Sequence, residues 1–334
     1  MPLMSPVHER SPGPVGWGRP AARTLPHAAA VRHLVQRPAT REEFLLGSAA
    51  QGEYGFVLFD ELPFGAPLFE DGQDHVDALR FVSEAMEEVA RFVALRHLRV
   101  PRDRCLPVVD RASVDITDVE PWRSGGGTER AGQVSVALTL RSLGIAGAPS
   151  GLECAGRVSV DGRPCATAQA HLTFPERTAR TPAAGRLRLL AEDLNRVRPG
   201  RVGRSEARDV VVHGSLVVDE HRVLMDVVPH PGNPLFDPDR SERAATALVM
   251  EASRQAATLA SGELRGLSTA HCLLTRWSAD FRGRVDSGLP LRCSALPGTL
   301  TRDRAGRPTV PVRIDFTRGE RCVGTVSAVV LQDC

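Results

Sequence analysis

From Asp77 to His97 apolar residues recur at Ala78, Phe81, Val82, Ala85, Val89, Phe92, Val93 and Leu95, the three- and four-residue steps of one helical face. The same steps return between Arg243 and Gly262, at Ala244, Ala247, Leu248, Met250, Ala252, Ala256, Leu259 and Ala260, with Gly262 placed as a C-terminal cap. Apolar positions cover much of the circumference of both helices, so each is expected to be enclosed rather than laid on a surface. After each helix the period changes to two. Residues 133–140, 157–160 and 166–174 alternate after the first helix, and residues 289–295, 309–316 and 325–331 after the second; these read as strands. One helix followed by consecutive antiparallel strands is an α+β order, and it excludes the alternating βαβ pattern of a parallel nucleotide-binding sheet.

The two helices belong to two copies of one longer pattern. Val35-Gln36-Arg37 overlies Val202-Gly203-Arg204, Arg41-Glu42 overlies Arg208-Asp209, and Gly47 overlies Gly214 without a gap. Further on, Gly65-Ala66-Pro67-Leu68-Phe69-Glu70 overlies Gly232-Asn233-Pro234-Leu235-Phe236-Asp237, and Glu84 falls on Glu251. A repeat of this length means two similar domains and not a solenoid. The expected architecture is a double hotdog: two tandem repeats, each a long central helix wrapped by an antiparallel sheet, with the sheets joined edge to edge. Residues 1–26, rich in proline and glycine, read as a disordered tail. Repeat 1 is then 27–176, a Pro/Ala/Gly/Arg-rich linker is 177–186, and repeat 2 is 187–334.

Composition changes this picture little. The 334 residues and the 42% apolar fraction are enough to fill two cores, and a net charge of +2 gives no reason to expect a nucleic acid partner. No apolar run is long enough to span a membrane and the N-terminus lacks the apolar core of a signal peptide, so the expectation is a cytoplasmic chain without a membrane partner. Seven dispersed cysteines with no CxxC pair argue against a zinc site or any other metal. Cys165 and Cys322 hold matching places in two hairpins and are expected to be small buried hydrophobes. No dinucleotide fingerprint, Walker loop, GxSxG or HExxH is present, so no cofactor is expected.

Candidate chemistry sits on the two helices. A carboxylate in an apolar helix is desolvated, which raises its pKa toward the range useful for proton transfer; a solvated glutamate on a polar stripe is the plainer alternative. Recurrence of the acid in both copies favours function for Glu84 and Glu251. Arg254 and Gln255 lie one turn after Glu251, so a carboxylate, a guanidinium and an amide can converge, either as a simple helical ion pair or as a site for an anionic group. The matching residues after Glu84 are Glu87 and Glu88, so the two sites are expected to be unequal. His230 opens the loop that feeds the second helix and is a second candidate proton carrier, or a surface histidine.

The sequence from Val202-Gly203-Arg204 through the His230-Pro231 loop with Phe236-Asp237 to Glu251-Ala252-Ser253-Arg254-Gln255-Ala256 resembles the second repeat of the A-factor biosynthesis hotdog family of actinomycetes. Val35-Gln36-Arg37, Glu43-Phe44-Leu45-Leu46 and the Glu84 helix resemble its first repeat. The resemblance implies a γ-butyrolactone autoregulator synthase, which transfers a β-ketoacyl group from an acyl carrier protein thioester to the hydroxyl of dihydroxyacetone phosphate. It implies Glu84, Glu251 and Arg254 as catalytic residues. Gln255, His230, Asn233 and Asp237, on the second helix and the loop that feeds it, are the expected substrate contacts, and the expected assembly is a monomer with an internal pseudo-dimer or a homodimer. The chain departs from the family in lacking the Arg-Gln pair after Glu84 and in reading Asp237-Pro238-Asp239 where relatives have a histidine after the aspartate. Two further functions fit a hotdog: dehydration or hydrolysis of an acyl thioester, and a non-catalytic acyl-ligand binding module.

Overall fold

Largely alternating buried and more exposed positions build one antiparallel sheet. In chain order its strands are β1 (Glu43–Ala49), β2 (Glu53–Glu61), β3 (Val108–Ile116), β4 (Gln133–Ile145), β5 (Ala148–Val160), β6 (Arg163–Thr173), β7 (Val212–Asp219), β8 (Arg222–Val227), β9 (Cys272–Phe281), β10 (Leu291–Pro297), β11 (Thr301–Arg302), β12 (Pro308–Arg318) and β13 (Arg321–Gln332). The helices are α1 (Ala78–Arg96), α2 (Glu120–Ser124) and α3 (Ala244–Arg265). The computed structural model describes residues 43–49, 53–61, 78–101, 108–124, 133–145, 148–174, 197–219, 221–230, 244–282 and 291–333. The expected tail (1–26) and linker (177–186) fall outside them.

Along β4, Val134, Val136, Leu138 and Leu140 are buried, while Ser135, Ala137 and Thr139 between them are not; one face is therefore core and the other meets water. The thirteen strands form a single sheet in the order β1-β2-β4-β5-β6-β3-β9-β13-β12-β10-β8-β7, with β11 paired to β12 off this path. Read inward from either edge, each half places its strands in the same relative order. The halves meet where β3 pairs with β9.

The seam is built from matching sequence. Arg111-Ala112-Ser113-Val114-Asp115 in β3 lies antiparallel to Arg276-Trp277-Ser278-Ala279-Asp280 in β9, with Arg111 facing Asp280, Ser113 facing Ser278 and Asp115 facing Arg276. Arg276 Nη2 reaches Asp115 Oδ2 at 3.1 Å. Just before each arginine the pairing with the inner neighbour slips by one residue, at Asp110 between Val109 and Arg111 and at Thr275 between Leu274 and Arg276. These bulges increase the local twist where the two halves join.

The long helices lie on the apolar face of the sheet. Val82, Met86, Val89, Phe92 and Val93 of α1 are buried, and α1 packs on β2, β4 and β5. Val249, Ala252, Ala256, Leu259 and Ala260 of α3 pack on β8, β10, β12 and β13. Ser253, Gln255, Thr258 and Ser261 of α3 are buried too, so this helix is covered on its polar side as well as its apolar side. The cover is the segment 197–212, two 3-10 turns (Pro199–Val202 and Ala207–Asp209) leading into β7, together with a third turn at Thr269–His271.

Two sequence expectations need correction. Gly262 does not cap α3: the helix runs on to Arg265 and ends at Gly266, whose φ is +72°, with Gly266 N–H donating to Gly262 O and Leu267 N–H to Ser261 O. Gly262 is glycine because a Cβ there would sit 2.7 Å from Thr269 Cγ2. Of the two matched cysteines, Cys165 is fully buried as expected, whereas Cys322 is only half-buried.

Candidate functional site

The site grows from one carboxylate on α3. Glu251 is 7% exposed, and it receives hydrogen bonds from three side chains. Arg254, one turn along the same helix, donates from Nε to Oε2 at 3.0 Å and from Nη2 to Oε1 at 2.8 Å. Arg204 comes from the covering segment and also grips both oxygens, from Nε to Oε1 at 2.9 Å and from Nη2 to Oε2 at 2.6 Å. Gln255 Nε2 donates to Oε1. Charge-assisted forks of this kind are the strongest hydrogen bonds that side chains make.

Local backbone geometry explains how Arg204 arrives there. Pro199 opens a 3-10 turn that closes on Gly203, whose φ of 62° and ψ of 44° are left-handed. Glycine takes this conformation without a Cβ penalty, and the reversal points the next residue back toward α3. Val202 C=O accepts from Arg254 Nη2 at 3.1 Å, and Thr269 Oγ1 donates to Gly200 O at 2.7 Å. Gln255 fixes the other end: its Nε2 donates to Asp209 O at 2.6 Å, while its Oε1 accepts from Val211 N–H at 2.9 Å and Val212 N–H at 3.3 Å.

Electrostatics overturn the expected proton affinity of Glu251. Burial pushes its pKa up, but the charges of Arg254 and Arg204 and their hydrogen bonds more than offset this and hold the carboxyl well below the usual range. The expected raised pKa, and with it a general base at this position, is not what the cluster provides. Cys272, close to Arg254, is pushed up to about 12 by burial, against the opposing pull of the guanidinium. It stays a thiol and offers no nucleophile.

The structure thus brings Glu251, Arg254 and Gln255 together, as helical spacing predicts, but gives Gln255 a different task from the expected substrate contact. Both of its amide hydrogens and its carbonyl oxygen are committed to protein groups, so it braces the cover against the helix. His230 lies just past β8, half-buried, and contributes none of the hydrogen bonds to Glu251. Asn233 and Asp237 lie outside the described residues, as does the side chain of Glu84, whose backbone is in α1. Sequence reasoning missed Arg204 as a site residue. Its signal was the duplication, which keeps arginine at both Arg37 and Arg204. Among the described residues no His/Cys/Asp/Glu group could hold a metal ion, and no helix is long and apolar enough to cross a membrane.

Residues 187–331 match the family model described as the A-factor biosynthesis hotdog domain. Among solved structures, the chain is similar to the tesB protein of Mycobacterium avium subspecies paratuberculosis, with 13% identity, 92% of this chain and 99% of that one covered, and a TM-score of 0.43. It is also similar to a putative thioesterase from Novosphingobium aromaticivorans, with 14% identity, coverage of 85% and 96%, and a TM-score of 0.44. A putative oleoyl thioesterase from Lactobacillus plantarum gives 12% identity, coverage of 85% and 98%, and a TM-score of 0.44. No curated protein matches the chain.

Proposed function

Because residues 187–331 belong to the A-factor biosynthesis hotdog family, we propose that this chain is a double-hotdog acyltransferase with units at 27–176 and 187–334. It moves a β-ketoacyl group from an acyl carrier protein thioester to the hydroxyl of dihydroxyacetone phosphate, in the making of a γ-butyrolactone-type signal. The acceptor oxygen attacks the thioester carbonyl, the C–S bond breaks, and the carrier thiol leaves with a proton.

The observation that carries this reading is Arg254, held by Glu251 and Val202 at the covered face of α3. A fixed guanidinium in a largely water-free place suits an anionic acceptor group or the oxyanion of the tetrahedral intermediate. Glu251 holds its proton too weakly to act as base. In this reading it orients the cluster.

The test is turnover of a β-ketoacyl thioester with and without dihydroxyacetone phosphate, followed by mass spectrometry. An acceptor-dependent ester is the expected product, and Arg254→Ala should lower its rate by about a hundredfold. Free acid or enoyl product formed without acceptor would move the chain to the thioesterase or dehydratase class. Ligand binding with no product would make it a binding module.

A further inference from the structure

We infer that Arg204 is a positioning residue for Arg254, acting through Glu251, so that the segment covering α3 sets the guanidinium on which the proposed reaction depends. This deepens the reading above and rests on it for what Arg254 then does. An arginine three residues after a glutamate on one helix is a weak pair when nothing else touches it. Here the carboxylate cannot turn. Glu251 Oε1 accepts from Arg254 Nη2, Arg204 Nε and Gln255 Nε2, and Oε2 accepts from Arg254 Nε and Arg204 Nη2. Two forks from different elements hold it, so the orientation it offers Arg254 is the one that Arg204 fixes.

Three observations place this setting in the covering segment rather than in α3 alone. Val202 is fully buried, and its C=O accepts from Arg254 Nη2 at 3.1 Å. Gly203 then reverses the chain in the left-handed region, where a Cβ would stand 3.3 Å from Thr269 O; the turn that carries Arg204 is therefore closely seated. Arg204 makes a further interaction besides those with Glu251, so the brace is itself tied down. Arg254 thus meets residue 202 through its own nitrogen and residue 204 through Glu251. One short stretch of backbone holds the helical pair at two points, and Arg204 needs no contact with substrate to do so.

Lysine at position 204 separates positioning from plain ion pairing, because an ammonium keeps the charge but cannot fork. In the full chain labelled with 15N-arginine, the Arg254 Nε–H that donates to Glu251 should give a slowly exchanging NMR signal, assigned by its loss in Arg254→Lys. That signal is expected to broaden or vanish in Arg204→Lys and in Arg204→Ala, while circular dichroism shows both variants folded and Arg204→Lys melts close to the wild type. In turnover, Arg204→Lys should lower kcat about tenfold or more and leave KM for the thioester within about twofold, since a misplaced group costs rate before it costs binding. An arginine that merely stabilised the fold would move the melting temperature and leave the Arg254 signal alone.

No slowly exchanging Arg254 signal in the wild type would overturn the inference. So would a signal equally sharp in the wild type and both Arg204 variants, or an unchanged kcat in Arg204→Lys, even though acyl transfer to dihydroxyacetone phosphate is then observed and the proposed reaction stands. Conversely, loss of the signal in both folded variants supports the positioning role even if no acyl transfer occurs, and only the proposed reaction is then abandoned.

Discussion

Glu251 is the residue on which the site turns, and its removal should be felt twice. Glu251→Gln keeps the shape but takes away the buried charge that two half-buried guanidiniums share, so a loss of about 2–4 kcal/mol is expected in chemical denaturation. The pH dependence has a definite sign. Its folded pKa is depressed below the ordinary 4.5, so its stabilisation is fully present above that value. It falls away as the pH drops further and the unfolded chain takes up a proton that the folded chain refuses. Below about pH 4.5 the stability of the wild type should therefore drop more steeply than that of Glu251→Gln, and parallel slopes would show that the ion pairs contribute nothing. Glu251 and Arg254 were legible in sequence because helical periodicity alone puts i and i+3 on one face. Arg204 was not, since its approach depends on the left-handed Gly203 and on a tertiary fold that no local pattern encodes.

At the scale of elements, periodicity located both long helices and six strands, and it failed where a register slip breaks it. In β9 the buried positions step from Leu274 to Trp277 across the bulge at Thr275, and β3 is interrupted in the same way at Asp110. Neither reads as a strand of period two. Gly262 differs from its expected role for another reason: it marks a close approach between α3 and the Thr269 turn, not the end of the helix. Replacing an interior helical glycine by alanine ordinarily stabilises by up to about 1 kcal/mol. Here Gly262→Ala should destabilise by about 1–3 kcal/mol through the clash with Thr269 Cγ2. Adding Thr269→Ser removes that methyl and keeps the hydroxyl bonded to Gly200, so the double variant should recover most of the lost melting temperature.

Across the whole molecule the two halves are one continuous sheet, and the exposed Asp115–Arg276 pair spans the seam. Asp115→Arg should place like charges opposite each other and lower stability, and combining it with Arg276→Asp should restore it. The double-mutant cycle is expected to give a coupling of about 0.2–1 kcal/mol. The shared Arg-x-Ser-x-Asp of β3 and β9 has a further property. Run antiparallel against itself, that five-residue phrase gives back its own complement, so it is a palindrome written in charge. A β9 laid against a second β9 would set Arg276 over Asp280 twice, with Ser278 facing its own image, just as β3 and β9 do now. Each half thus ends in an edge that its own twin can satisfy, and the covalent link between the halves makes permanent a pairing that separate units would reach only through concentration.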